Sequence, residues 1–147
     1  MIIQFAVAFA ATFGFSVIFF APRRLYIACA AGGGLTWIVY LLLSETLGAE
    51  APAIFAAAFA LTVYARLCGR VFKAPAIIFL IVGVFPLAPG AAIYNMANAL
   101  FASDLIAASA FGVQALTTAG AVALGTLFGY TIPALYKNKE KAGAITD

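Results

Sequence analysis

Residues 75–101 read PAIIFLIVGVFPLAPGAAIYNMANALF and contain no charged side chain. At about 1.5 Å per residue, a helix of this length measures about 40 Å, which is enough to cross the hydrocarbon core of a membrane. Pro86, Pro89 and Gly90 interrupt the run near its middle. Each proline removes a backbone donor and clashes with the preceding turn, so regular helix is not expected to continue here. The stretch therefore predicts a membrane-spanning helix in two pieces.

The rest of the chain has the same apolar character. Of its 147 residues, 66% are hydrophobic and only 9% are charged, and the mean hydropathy is +1.12. A water-soluble domain carries roughly a quarter charged residues, so this composition excludes one. The predicted fold class is all-α, a polytopic membrane bundle of about five transmembrane helices, of which the fourth is discontinuous at Pro86–Gly90.

The apolar runs and the residues that end them define the other spans. We expect spans at about 2–21, 25–43, 52–67, 75–101 and 105–136, followed by a short cytoplasmic tail at 137–147. The last run exceeds one perpendicular crossing, so it must tilt or begin at the membrane interface. Because each crossing uses about 20 residues, the loops are short, and residues 1–147 are expected to form a single transmembrane domain without a catalytic domain.

The distribution of charge predicts the orientation in the membrane. With five crossings, all basic residues fall on one side, whereas Glu45, Glu50 and Asp104 fall on the other. Short loops rich in Lys and Arg stay in the cytoplasm, so we expect the N-terminus outside and the C-terminus inside. The net charge of +3 is then explained without a nucleic-acid partner. The eight basic residues are Arg23, Arg24, Arg66, Arg70, Lys73, Lys137, Lys139 and Lys141.

The interruption in the fourth span is the main candidate for a solute site. Backbone groups freed at bilayer depth must be buried in protein or line a wet cavity, and many transporters build midplane substrate sites from discontinuous helices. The N-terminus of the second half-helix then offers partial positive charge to an anionic group. A proline kink that neighbouring helices repair is the alternative interpretation.

Polar side chains near the interruption supply candidate substrate contacts. Three of them share a helical face of about 100° if helix resumes near Gly90. The last span adds a polar stripe, and the second span contains a tryptophan too deep for the interfacial belt. Helix–helix packing is the alternative role for all of these side chains. The predicted substrate-binding residues are Pro86, Pro89, Gly90, Tyr94, Asn95, Asn98, Gln114, Thr118 and Trp37.

Small residues spaced four apart predict close helix packing in two places. One stripe runs over Ala6–Gly14 in the first span and the other over Ala121–Gly129 in the last. Such stripes need a partner backbone nearby, in this chain or in another. They also support an alternative function, in which the chain is a non-transporting assembly or scaffold subunit of a larger complex.

Several kinds of chemistry have no residues to support them. Acidic, basic and histidine side chains are missing from the span centres, so no proton relay is expected. Cys29 and Cys68 lie in an apolar segment and a basic loop, which does not favour a disulfide. The chain contains no histidine and no nucleophile–base pair, so we expect neither a metal, a cofactor nor an enzyme activity.

Three segments together resemble the threonine/serine exporter family. They are Phe20–Arg24, the glycine run before Trp37, and Pro75 followed by Phe85–Gly90 with Tyr94. The Pro-Leu-x-Pro-Gly-x-x-x-Tyr pattern is the most specific of these. The resemblance covers most of the chain. More narrowly, the chain resembles the short, separately encoded half found in this family.

The resemblance implies a subunit of a secondary exporter of small carboxylate-bearing metabolites. The substrates are threonine and serine in the fused members, and a two-subunit relative is associated with succinate. The resemblance also implies a multi-pass protein of the bacterial cytoplasmic (inner) membrane, surrounded by lipid. Because fused members carry two such halves and a soluble region, it implies a longer partner subunit, self-association or both.

Overall fold

The computed structural model describes residues 2–131, which form six α-helices and no β-strand. The predicted all-α class is confirmed. Residues 132–136 of the last predicted span and the tail at 137–147 lie outside the described residues. Two 3₁₀ turns, Arg23–Leu25 and Phe85–Leu87, accompany the helices. The helices are α1 (Ile2–Ile18), α2 (Tyr26–Leu47), α3 (Glu50–Val71), α4 (Ala76–Val84), α5 (Gly90–Phe101) and α6 (Leu105–Thr131).

Residues that stop or start helices separate these elements. Gly48 follows α2 in the left-handed region, with a φ of 61°, which glycine adopts without steric cost. Pro75 immediately precedes α4. Asp104 precedes α6, and its carboxylate accepts a hydrogen bond at 3.0 Å from the backbone N–H of Ala107. Asp104 is therefore a helix N-cap.

The length of each helix bears on how many of them cross the membrane. Within residues 2–131, three helices are long and apolar enough to do so alone, and the bent pair α4–α5 gives a fourth if it is one span. Helix α1 is apolar but has 17 residues, fewer than the about 20 that a perpendicular crossing uses. The number of five spans therefore stays a prediction that depends on α1.

The glycine run of α2 allows two neighbouring helices to approach this helix closely. A Cβ atom at Gly33 would collide with the side chain of Thr12 in α1. A Cβ atom at Gly32 would lie 2.9 Å from the ring of Tyr64 in α3. The Tyr64 hydroxyl also donates a hydrogen bond at 2.8 Å to the Ala28 carbonyl of α2. Helix α2 therefore lies between α1 and α3.

Helix α1 packs through a different face from the one its small residues suggest. Its buried residues include Ala8, Thr12 and Ser16, which lie one turn apart. The hydroxyls of Thr12 and Ser16 donate to the carbonyls of Ala8 and Thr12, at 2.7 and 2.9 Å, so burial leaves neither hydroxyl unpaired. The stripe Ala6–Gly14 has its small residues on the exposed side. It therefore does not form the contact between α1 and α2.

The small residues of α6, in contrast, do pack against a helix of the same chain. Gly125 and Gly129 are buried against α3. At the far end of this contact, the Arg66 guanidinium of α3 donates a hydrogen bond at 2.7 Å to the Gly129 carbonyl. Helices α3 and α6 therefore pack closely along their shared length, whereas α5 packs mainly against α6.

Candidate functional site

The predicted interruption of the fourth span is present. The 3₁₀ turn Phe85–Leu87 follows α4, Ala88 is extended with a φ of −62° and a ψ of 137°, and α5 begins at Gly90. The two helical pieces are bent by 49° relative to each other. Pro86 and Pro89 have no N–H to donate to the carbonyls four residues before them, so a continuous helix would lack two hydrogen bonds here. The two prolines therefore account for the interruption, and a bend of 49° is larger than that of a gently curved helix.

The depth of the interruption follows from its contacts with α3. Leu87 is buried against Ala57 and Ala58. These alanines come seven and eight residues after Glu50, the first residue of α3, which corresponds to about 10–12 Å along the helix. The interruption thus lies within the length of α3, nearer to its middle than to its Glu50 end.

A pocket of about 190 Å³ lies at the interruption, between α2, α3, α5 and α6. Its volume is about six times the ~30 Å³ that a water molecule occupies in the liquid, so it has room for a solute of a few non-hydrogen atoms. The structure brings together here five of the side chains that the sequence predicted for substrate binding. They are Trp37, Pro86, Pro89, Gln114 and Thr118.

An acidic residue that was not predicted as a site residue also lines this pocket. Glu50 accepts a hydrogen bond at 3.3 Å from the side-chain amide of Gln114. The sequence placed Glu50 in a loop because the third span was expected to start at Pro52. Proline is tolerated in the first turn of a helix, where amides have no partner within the helix, and the helix dipole favours an acidic residue there. Those two signals together indicate a helix that starts at Glu50.

The N-terminus of α5 contributes backbone donors to the same pocket. The first amides of a helix have no carbonyl partner inside it. Gly90 donates to the Ala88 carbonyl at 2.8 Å, and Ile93 donates to the Pro89 carbonyl at 3.0 Å. No backbone partner of this kind is found within residues 2–131 for Ala91 or Ala92, and both line the pocket. The pocket is therefore lined by residues whose backbone N–H groups lack such a partner, together with a polar and partly acidic wall.

Comparison with protein families identifies the kind of protein that holds this pocket. Residues 4–132 match the family model described as Threonine/Serine exporter, ThrE. The chain belongs to this family. No curated protein and no solved structure matches it. The family consists of membrane exporters and is not a class of enzymes, so the chain is an exporter-type transporter subunit and a multi-pass membrane protein.

In this member of the threonine/serine exporter family, the polar face of α5 does not reach the pocket. Tyr94 is 71% exposed, and Asn95 and Asn98 are exposed beside it. Helix α5 instead turns Ala92 and Ala99 inward. A role for the polar face in substrate binding stays a prediction. The predicted residues that do not line the pocket are Gly90, Tyr94, Asn95 and Asn98.

Trp37 separates the polar pocket from a second, larger one. The second pocket has a volume of about 350 Å³, and apolar side chains of α1 make up most of its wall. Trp37 and Pro86 line both pockets, and the Trp37 ring lies 5.2 Å from the Tyr40 ring, measured between centroids. The tryptophan therefore contributes a wall to the candidate site in addition to packing inside the bundle.

Proposed function

We propose that this chain is a subunit of a secondary exporter that moves small carboxylate-bearing metabolites out of the cell across the bacterial inner membrane. The substrates would be amino acids like threonine and serine or a dicarboxylate such as succinate. The observation that carries the proposal is the pocket at the interruption, where the N-terminus of α5 meets polar side chains. Discontinuous helices serve transporters in this way.

The α5 N-terminus is suited to bind a carboxylate. The amides of Ala91 and Ala92, together with the partial positive charge of the helix end, would accept the anionic group. The described residues that line the pocket include no Lys or Arg. Backbone N–H groups would therefore bind the carboxylate in place of a cationic side chain. This avoids the high cost of placing a Lys or Arg side chain at bilayer depth.

A partner subunit would cover the exposed polar face of α5. Tyr94, Asn95 and Asn98 are exposed on α5, and lipid tails cannot satisfy their hydrogen-bonding groups. The stripe Ala6–Gly14 offers a second exposed surface on which another helix could pack closely. We propose that a longer partner subunit of the same family, a second copy of this chain, or both cover these faces.

Efflux from cells tests the proposed function directly. Cells that lack their own exporter would be loaded with threonine, serine or succinate and would express the chain alone or with a longer family member from the same organism. We expect efflux of at least one solute to rise well above background when both proteins are present. If the pair assembles in the membrane without efflux of any of the three, the chain would instead be a scaffold subunit.

Cysteine labelling tests the proposed orientation. In a variant with alanine at positions 29 and 68, we expect Thr46→Cys to react with a membrane-impermeant maleimide in intact cells and Lys73→Cys to react only after the cells are opened. The reason is that Lys73 lies in a loop rich in basic residues, which stays in the cytoplasm. Labelling of position 73 from outside would contradict an outside N-terminus.

A further inference from the structure

The pocket at the interruption is lined by two kinds of group with opposite electrostatic sign. Glu50 contributes a carboxylate from the first turn of α3, and α5 contributes the N–H groups of its first turn. The other polar side chains that line the pocket are neutral at pH 7: Trp37, Tyr40, Gln114 and Thr118. A solute that matches both kinds of group must therefore carry an anionic group and a cationic group within a small volume.

We infer that Glu50 binds the ammonium group of an α-amino acid and thereby selects zwitterionic substrates over dicarboxylates. This inference rests on the proposed function, since it assumes that the pocket at the interruption holds the exported solute. It assigns a specificity role to a residue that the sequence alone placed in a loop. It also decides between the two substrate classes that the proposed function leaves open.

The hydrogen bonding of Glu50 is compatible with this role. An ionised carboxylate has about four acceptor sites on its two oxygens, whereas an ammonium group has three donors and no acceptor. The hydrogen bond from Gln114 to Oε2, at 3.3 Å, uses one acceptor site and ties α6 to α3. The remaining sites can accept from an ammonium group, and such charge-assisted hydrogen bonds are about twice as strong as neutral ones.

A dicarboxylate fits the same pocket poorly. If one of its carboxylates binds the α5 N-terminus, the second one lies in the same pocket of about 190 Å³ that Glu50 lines. Two like charges within a pocket of this size repel each other. Glu50 would then repel the dicarboxylate and attract the ammonium group of the amino acid. A repulsive and an attractive contribution together increase specificity.

Replacement of Glu50 by glutamine tests the inference because it removes the charge and keeps the size of the side chain. Efflux of threonine and of succinate would be measured in cells that express the full chain with its partner, at matched membrane abundance. We expect Glu50→Gln to lower the ratio of threonine efflux to succinate efflux by about tenfold or more. Glu45→Gln is the matched control: Glu45 lies near the end of α2, outside the pocket, and should leave the ratio unchanged.

The possible outcomes separate this inference from the proposed function. If the wild-type pair exports neither solute, the proposed function fails. If the wild-type pair exports threonine and Glu50→Gln keeps the wild-type ratio, the proposed function stands and the role of Glu50 is overturned. An equal loss of efflux for both solutes also overturns it, because that result assigns Glu50 to a step common to all substrates.

Discussion

Export is expected to fall to background when Pro86 and Pro89 are both replaced by alanine, while the protein still inserts into the membrane. Alanine is the best helix former, and proline is worse by about 3 kcal/mol at an interior position. The new N–H groups can donate to the carbonyls of Val82 and Phe85, so helix can continue from α4 into α5. Straightening the 49° bend would move the amides of Ala91 and Ala92 away from the pocket.

The measurement is efflux at matched membrane abundance, with Pro75→Ala as the control. Pro75 is also a proline of the fourth span, but it precedes the first turn of α4 and lies outside the interruption. Its replacement should leave export near the wild-type rate. Wild-type efflux from the double-alanine variant would mean that the interruption is structural only and that the substrate site lies in the partner.

The positions of the helices could be predicted because a membrane restricts which backbone structures can cross it. Apolar runs must form helices that satisfy their own backbone groups, and prolines, glycines and charges mark where those helices end. The interruption was predictable for the same reason, since Pro86 and Pro89 lack the N–H groups that a helix needs. Neither conclusion requires knowledge of how the helices pack.

The orientation of each helix around its own axis could not be predicted in the same way. In a soluble protein, the polar face of a helix points to water and identifies the buried face. In a membrane, the lipid-facing side and the buried side are both apolar, so the sequence does not distinguish them. For this reason the stripe Ala6–Gly14 did not indicate which face of α1 packs against α2. The exposed position of Tyr94 could not be foreseen for the same reason.

The place of Glu50 in the pocket depends on contacts between segments that are far apart in the sequence. Glu50 and Gln114 are separated by 64 positions, and they meet because α3 and α6 pack through Gly125 and Gly129. A close approach of this kind requires glycine, but the sequence does not say which helix approaches. The stripe in α6 predicted a packing contact, and only the structure identifies α3 as its partner.

That contact predicts a large loss of stability when Gly125 is replaced by leucine. A Cβ atom at position 125 would collide with the backbone carbonyl of Phe55, and it would lie 2.9 Å from the Cβ atom of Ala58 and 3.1 Å from the backbone nitrogen of Phe59. Backbone atoms cannot move aside as a flexible side chain can. Overpacking costs about 1–3 kcal/mol where the surroundings adjust, and we expect at least this much here.

Gly120→Leu is the matched control, because Gly120 lies on the same helix and a Cβ atom there would meet nothing within 4 Å. Thermal unfolding of the purified subunit in detergent would compare the two variants with the wild type. We expect a clearly lower Tm for Gly125→Leu and a nearly unchanged Tm for Gly120→Leu. The separation of α3 from α6 should also pull Gln114 away from Glu50, so export should fall in the first variant. Equal Tm values in all three proteins would show that α3 and α6 do not pack through Gly125.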